Sequence, residues 1–210
     1  MESKCSYPAP ALKKNCDSFQ EVLLFNIIIN LKDHERRFGM KEQIEAVTMK
    51  GNPLTLVNNL PPVGQPAPDF EVVGNDLSPV KRSSYLGKVC VISSVPSLDT
   101  PVCDMQTRRF NQEAENLGSD ISILTISMDL PFAQKRWCGA AGVERVVTLS
   151  DHRQAEFGTG YGVLIKELRL LARAVFIVDR DGMVRYVQLV KEIAEEPDYN
   201  AVLEALKKVV

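Results

Sequence analysis

The spacing of apolar residues changes character near residue 40, and beyond that point it alternates between short β-branched runs and longer stretches with helical period. Val89, Cys90, Val91 and Ile92 lead into Ser93, Ser94 and Val95, a run that predicts a buried strand. Pro96 ends it, because proline has no N–H to give to a ladder. After Ser97 to Thr100, Pro101 stands where the first turn of a helix tolerates it, with Asp99 or Thr100 as the cap. Met105, Phe110, Ala114 and Leu117 carry that helix to Gly118. Ile121 to Met128 is a second, almost continuously apolar strand of the kind covered on both faces. Strand, helix and strand in this order imply a right-handed crossover and a parallel pair. The start of the helix then lies beyond the carboxyl end of its strand, where open α/β sheets place their sites.

The flanking segments fill out an α/β domain. Val47 to Val57 and Phe70 to Val73 are β-type runs separated by Asn58 to Gly64, read as an amino-terminal hairpin and the approach to the core. Gly74 to Gly87 is polar and turn-rich, with Leu77 and Val80 as isolated apolar contacts. Pro131 to Trp137 opens a helix that Cys138 closes before Gly139. A short strand, Val146 to Leu149, precedes a short helix from Arg153 to Tyr161, punctuated by glycines. Ala174 to Val178 and Met183 to Val190 form an antiparallel hairpin around Asp179 to Gly182. Tyr199, Val202, Leu203, Leu206 and Val210 repeat at the spacing of an amphipathic terminal helix.

Composition narrows the function classes. The chain has 210 residues, of which 45% are hydrophobic and 25% charged, an ordinary balance for one globular domain with a sizeable core. A net charge of −2 gives no broad basic surface for nucleic acid or an anionic membrane, so neither is expected as a partner. Residues 1–39 read as a poorly structured extension to a domain spanning 40–210. The apolar run from Val22 to Leu31 is shorter than the roughly 20 residues of a membrane span and lacks the flanks of a signal peptide. Cys5, Cys16, Cys90, Cys103 and Cys138 are odd in number and scattered, which reads as cytoplasmic thiols rather than a secreted disulfide framework. With His34 and His152 the only histidines, no cysteine pair at zinc spacing and no Gly-rich phosphate loop, no metal or cofactor is expected.

Among the cysteines, Cys103 has an electrostatic reason to react. It stands in the first turn of its helix, where unpaired N–H groups and the positive end of the helix dipole favour a thiolate. The Thr100 hydroxyl, three residues back, can donate to that sulfur or to a bound substrate. The alternative is a small apolar side chain filling a helix-start pocket. Arg173 interrupts the apolar stretch from Leu170 to Val178, and a guanidinium there needs a partner if it is buried. It can also snorkel out of the sheet edge.

Pro96, Thr100 and Cys103 fit the Pro-x-x-x-Thr-x-x-Cys pattern of the peroxiredoxins, and SVPSLDTPVC resembles the thiol peroxidase branch of that family. The resemblance continues through DLPFAQKRWCGAAG from Asp129 to Gly142, ARAVFIVD around Arg173 and EIAEEPDYNAVLEALK near the end, spanning about Met49 to Lys208. It implies a thioredoxin-like fold with an amino-terminal β-hairpin. It implies a peroxidase for hydrogen peroxide and organic hydroperoxides, alkyl and lipid ones included, in which Cys103 attacks the O–O bond and becomes a sulfenic acid. By the same resemblance Thr100 orients thiolate and peroxide, Pro96 shields the sulfenic acid from water, and Arg173 is the active-site arginine.

Cys138, 35 residues beyond Cys103, is the resolving cysteine that the resemblance implies, forming an intramolecular disulfide reduced by thioredoxin or a similar dithiol protein. On the residues alone, Cys138 is equally well a structural thiol beside Trp137. Two cysteines at the ends of different helices need local unwinding to meet. The resemblance further implies a homodimer, and a start near Met40, with the preceding residues not translated. An intact mass that includes residues 1–39 would exclude that start. One departure is KELRL, Lys166 to Leu170, where a glycine and proline are usual, so the loop before Arg173 takes another shape. The rival readings are a peroxide-sensing thiol switch and a cysteine hydrolase with His152 as its base. The absence of a Cys-x-x-Cys pair argues against a thioredoxin-like reductase.

Overall fold

The computed structural model describes residues 41–115, 117, 118 and 120–210. The expectations for residues 1–39, with Cys5, Cys16 and the apolar run, lie outside the described residues.

The described residues begin with a hairpin, β1 (Glu42–Met49) and β2 (Asn52–Val57), paired antiparallel. Lys50 and Gly51 both take positive φ, 52° and 79°, the backbone of a tight turn whose twist matches its strands. Both arms of the hairpin therefore precede Asn58. Phe70 to Val73 is not an arm: β3 (Glu71–Val73) joins the main sheet and pairs with β4 (Pro79–Lys81). The stretch from Gly74 to Gly87 is thus more than turns, holding β4 and a 3-10 turn at Arg82–Tyr85.

The central elements follow in the expected order: β5 (Val89–Ser94), α1 (Pro101–Glu115), β6 (Ile121–Ser127), α2 (Pro131–Ala141) and β7 (Val146–Ser150). After α3 (Glu156–Gly160) and the two-residue β8 (Leu164–Ile165) come β9 (Ala174–Val178), β10 (Val184–Leu189) and α4 (Tyr199–Lys207). The main sheet runs β10-β9-β5-β6-β7-β3-β4, and β1, β2 and β8 form a second sheet. As expected, β5 and β6 are parallel and β9 and β10 antiparallel. This mixed sheet with helices on its faces is the expected thioredoxin-like fold.

Alternation along each strand divides the core in two. Val89, Val91, Ile123, Val146, Val175 and Ile177 pack under α1, α2 and α4 against Phe110, Trp137, Val202 and Leu206. Cys90, Ile92, Leu124, Ile126, Phe176 and Val178 pack on the other face with Leu54 and Leu56 of the hairpin and with Phe157 and Tyr161. Each such side chain contributes about 1.5–3 kcal/mol when fully buried.

Two helix ends differ from the sequence expectation. Cys138 does not close α2, which runs through Gly139 to Ala141 and stops at Gly142 in the left-handed conformation (φ 65°). Gly139 meets no neighbour and costs the helix only about 1 kcal/mol, so it does not break it. The true stop is the glycine whose φ a helix cannot use. The helix expected from Arg153 is only Glu156–Gly160, because Ala155 is left-handed (φ 55°) and bars an earlier start.

Candidate active site

The C-terminal half of the helix-covered sheet face is polar. Along β5 the inward sequence runs Val89, Val91, Ser93; along β6, Ile121, Ile123, Thr125, Ser127; along β7, Val146, Thr148, Ser150. These hydroxyl-bearing residues are buried and form a floor beneath the first turns of α1 and α2. Buried polar groups need partners, and here the helices supply several of them. Gln106 of α1 donates to Ser93 Oγ at 2.8 Å, and Gln134 of α2 donates to Ser127 Oγ at 2.9 Å.

Above this floor the chain leaves β5 through buried Val95 and Pro96 and turns into α1. Asp129, at the end of β6, holds the turn by accepting from Leu98 N at 2.8 Å, Ser97 Oγ at 2.7 Å and Ser127 Oγ at 2.8 Å. Thr100 caps α1 through its backbone, its carbonyl accepting from Asp104 N at 3.0 Å. Its exposed hydroxyl does not donate to the sulfur as expected: it donates to Ser97 O at 2.9 Å, so its hydrogen is engaged while its lone pairs remain. Cys103 is the third helical residue, with its side chain buried and 0% exposed.

Arg173, immediately before β9, is 1% exposed and turned inward, not snorkelling from an edge. Its Nη2 donates to Cys103 Sγ at 3.4 Å and to Ile193 O at 2.9 Å, Nε donates to Ile193 O at 3.1 Å, and Nη1 donates to Gln106 Oε1. Among the described residues no carboxylate lies within salt-bridge distance of this guanidinium. A buried cation is thus held by neutral oxygens and one sulfur, and a thiolate at Cys103 is the anion that would complete it.

Cys138 stands elsewhere. It is half-buried on α2, its Sγ lies 3.2 Å from Thr148 Oγ1, and Cys103 and Cys138 are both free thiols. The two cysteine helices are tied beside the sulfurs: Trp137 Nε1 donates to Asp104 Oδ1 at 3.0 Å, and Arg108 Nη1 to Ala141 O at 2.8 Å. Cys90 faces the opposite core, and burial pushes its thiol up to about 11, as befits a packing residue. His152 is half-buried, with Nδ1 2.8 Å from Ser150 Oγ, and it is not the hydrogen-bond partner of Cys103. The KELRL segment is a compact turn, closed by Ile165 N to Leu170 O at 2.8 Å and pinned to β2 by Lys166 N to Thr55 O at 2.9 Å.

Pro96, Thr100, Cys103 and Arg173 are brought to one end of the sheet, whereas Cys138 is held apart on its own partner. Sequence reasoning did not identify Gln106, Ser93, Asp129 or the Ile193 carbonyl. Gln106 could have been found from its place three residues after Cys103, on the same helix face.

A cysteine in the first turn of a helix, faced by a buried arginine at one end of a thioredoxin-like sheet, fits a redoxin, and residues 62–203 match the Redoxin family. The chain is 60% identical over 162 residues to a thiol peroxidase of Oceanobacillus iheyensis, covering 77% of this chain and 98% of that one. It is 54% identical over 164 residues to a thiol peroxidase of Bacillus subtilis, covering 78% and 98%. A solved peroxiredoxin-like protein of Aquifex aeolicus superposes with a TM-score of 0.74 at 43% identity, covering 81% of this chain and 99% of the other. The chain belongs to the thiol peroxidases of the Redoxin family.

Proposed function

We propose that the protein reduces hydrogen peroxide and organic hydroperoxides with Cys103 as the nucleophile. The observation that carries this reading is the 3.4 Å contact between Cys103 Sγ and a buried arginine that has no carboxylate partner among the described residues. The Cys103 thiolate attacks one peroxide oxygen, the O–O bond breaks, and the departing oxygen takes a proton to leave as water or alcohol. Sulfur is oxidised to a sulfenic acid. Arg173 offers its positive charge both to the thiolate and to the charge growing on the oxygens. Thr100, its own hydrogen given to Ser97, accepts the peroxide O–H. Buried Pro96 keeps bulk water from the oxidised sulfur.

Cys138 then attacks the sulfenic sulfur, a disulfide forms and water leaves. For the sulfurs to meet, Cys138 leaves Thr148 and the Asp104–Trp137 and Arg108–Ala141 ties release, unwinding the end of α2. Thioredoxin or a similar dithiol protein reduces the disulfide in the cytoplasm. Exposed Met105, Leu130 and Phe132, at 48%, 54% and 67%, flank the two helix starts and favour a homodimer. A peroxide sensor would use the same disulfide but would not turn over rapidly with a dithiol.

The test is peptide mass spectrometry before and after one equivalent of hydroperoxide. A Cys103–Cys138 crosslink is expected; oxidised Cys103 with Cys138 still reduced would refute the intramolecular cycle.

A further inference from the structure

Thr148 is a β-branched residue in a core strand, where a valine would pack as well. It is 3% exposed, and its hydroxyl is part of a chain of polar groups that ends on a thiol. Asn75 Nδ2 donates to Thr148 Oγ1 at 2.8 Å, and Thr148 Oγ1 lies 3.2 Å from Cys138 Sγ. An amide N–H can only donate, so the threonine oxygen accepts from Asn75 and its own hydrogen is directed elsewhere. Its neighbour across the β6–β7 ladder, Thr125, does not take that hydrogen, since Thr125 Oγ1 is buried without a partner among the described residues. The Cys138 sulfur at 3.2 Å is the group that hydrogen can reach. While the sulfur is a thiol its S–H can equally donate to the second lone pair of the threonine oxygen; only a thiolate fixes Thr148 as the donor.

We infer that Thr148, oriented by Asn75, arms Cys138 for its attack on the oxidised Cys103. This inference rests on the reading of Cys138 as the resolving cysteine. Asn75 N–H polarises the Thr148 hydroxyl, whose O–H stabilises negative charge on Cys138 sulfur in the resting protein. The sulfur is then already in its nucleophilic form when α2 unwinds and carries it away from Thr148. In the step itself the Cys138 electron pair forms the S–S bond and the S–O bond of the Cys103 sulfenic acid breaks. The leaving hydroxide takes a proton and departs as water. Asn75, Cys138 and Thr148 also line a groove of about 370 Å³ with Asp76, Ser78 and Val147, so the sulfur is reachable from solvent.

The test separates this inference from the resolving role. In protein carrying Cys103→Ser, iodoacetamide labelling of Cys138 is followed at neutral pH by peptide mass spectrometry. Adding Thr148→Val is expected to slow labelling about 3- to 10-fold, the worth of one hydrogen bond to the reacting atom, and Thr148→Ser to restore it. Equal labelling rates with and without Thr148→Val, or a serine that fails to restore the rate in a folded protein, would overturn the inference. With Cys103 intact and hydroperoxide in excess, Thr148→Val is expected to crosslink more slowly and to accumulate sulfinic Cys103, its sulfenic acid being oxidised by a second equivalent of hydroperoxide. A protein with native Thr148 that never crosslinks would remove the resolving role, while the labelling rates would still decide what Thr148 does to its sulfur.

Discussion

Arg173 is a charge whose neighbours are chosen for what they lack. Two of its N–H groups converge on one carbonyl, a third meets an amide oxygen, and no carboxylate competes for it among the described residues. Replacing it by glutamine keeps a planar donor and removes the charge. Arg173→Gln is expected to lower the rate constant for Cys103 oxidation by about 100-fold, within the range for loss of a single charge-stabilising donor. A competition assay against a second peroxidase reads this directly, and an unchanged rate would show that the arginine is structural. Gln106→Leu should move the same rate in the same direction, because it frees Nη1 of Arg173 and leaves Ser93 Oγ without its donor. Cys103 and Arg173 could be read from the sequence because each breaks its local pattern, a thiol behind two prolines and a cation inside an apolar run. Ser93 and Thr148 could not, since hydroxyls in strands are unremarkable until pairing shows what they face, and Gln106 was marked only by its place three residues after Cys103.

The elements were legible where their period is long and sustained, and least so where tertiary pairing alone makes a strand. β3 and β4 are three residues each and β8 only two, too short to carry an alternation. The end of α2 turned on which of two glycines takes a left-handed φ, which spacing does not reveal. The short α3 depends on a carboxylate outside it: Asp151 accepts from Gly158 N at 2.7 Å and Phe157 N at 3.3 Å. Burial pushes this carboxyl up from 3.8 to about 6, against the opposing pull of those N–H groups. Because the folded value is raised, the fold gains from protonation: the contribution is full below pH 3.8 and is lost as pH rises through about 6. Asp151→Asn cannot ionise. Thermal unfolding of the two proteins across that interval should therefore show the aspartate form losing ground to the asparagine form as pH rises, and parallel curves would mean the carboxyl titrates normally.

At the scale of the whole molecule, the hairpin and the active site share a segment. Thr48 N donates to Lys191 O at 2.6 Å, and Ile193 N donates to Thr48 O at 2.9 Å, so β1 grips the stretch whose carbonyl orients Arg173. Glu192 closes the grip by accepting from Gly51 N at 3.1 Å, Lys50 N at 3.0 Å and Thr48 Oγ1 at 2.9 Å. Those bonds, that from Gly51 foremost, hold its carboxyl down from 4.5 to about 2. A lowered value means that the grip is present above pH 4.5 and loosens as acid approaches about 2. Glu192→Gln at neutral pH is expected to imitate that loosening. Its peroxidase activity should fail on heating below the temperature at which circular dichroism reports unfolding, while the native protein should lose both together; coincident curves in the variant would refute the link.

Among the described residues the hairpin strands contribute no atom to the reacting centre, yet their grip on Lys191 to Ile193 sets where its arginine sits. A chain inserted at the hairpin turn between Lys50 and Gly51 would displace the two N–H groups that Glu192 holds there, so a graft far from the sulfur would be read out as a change in peroxide turnover.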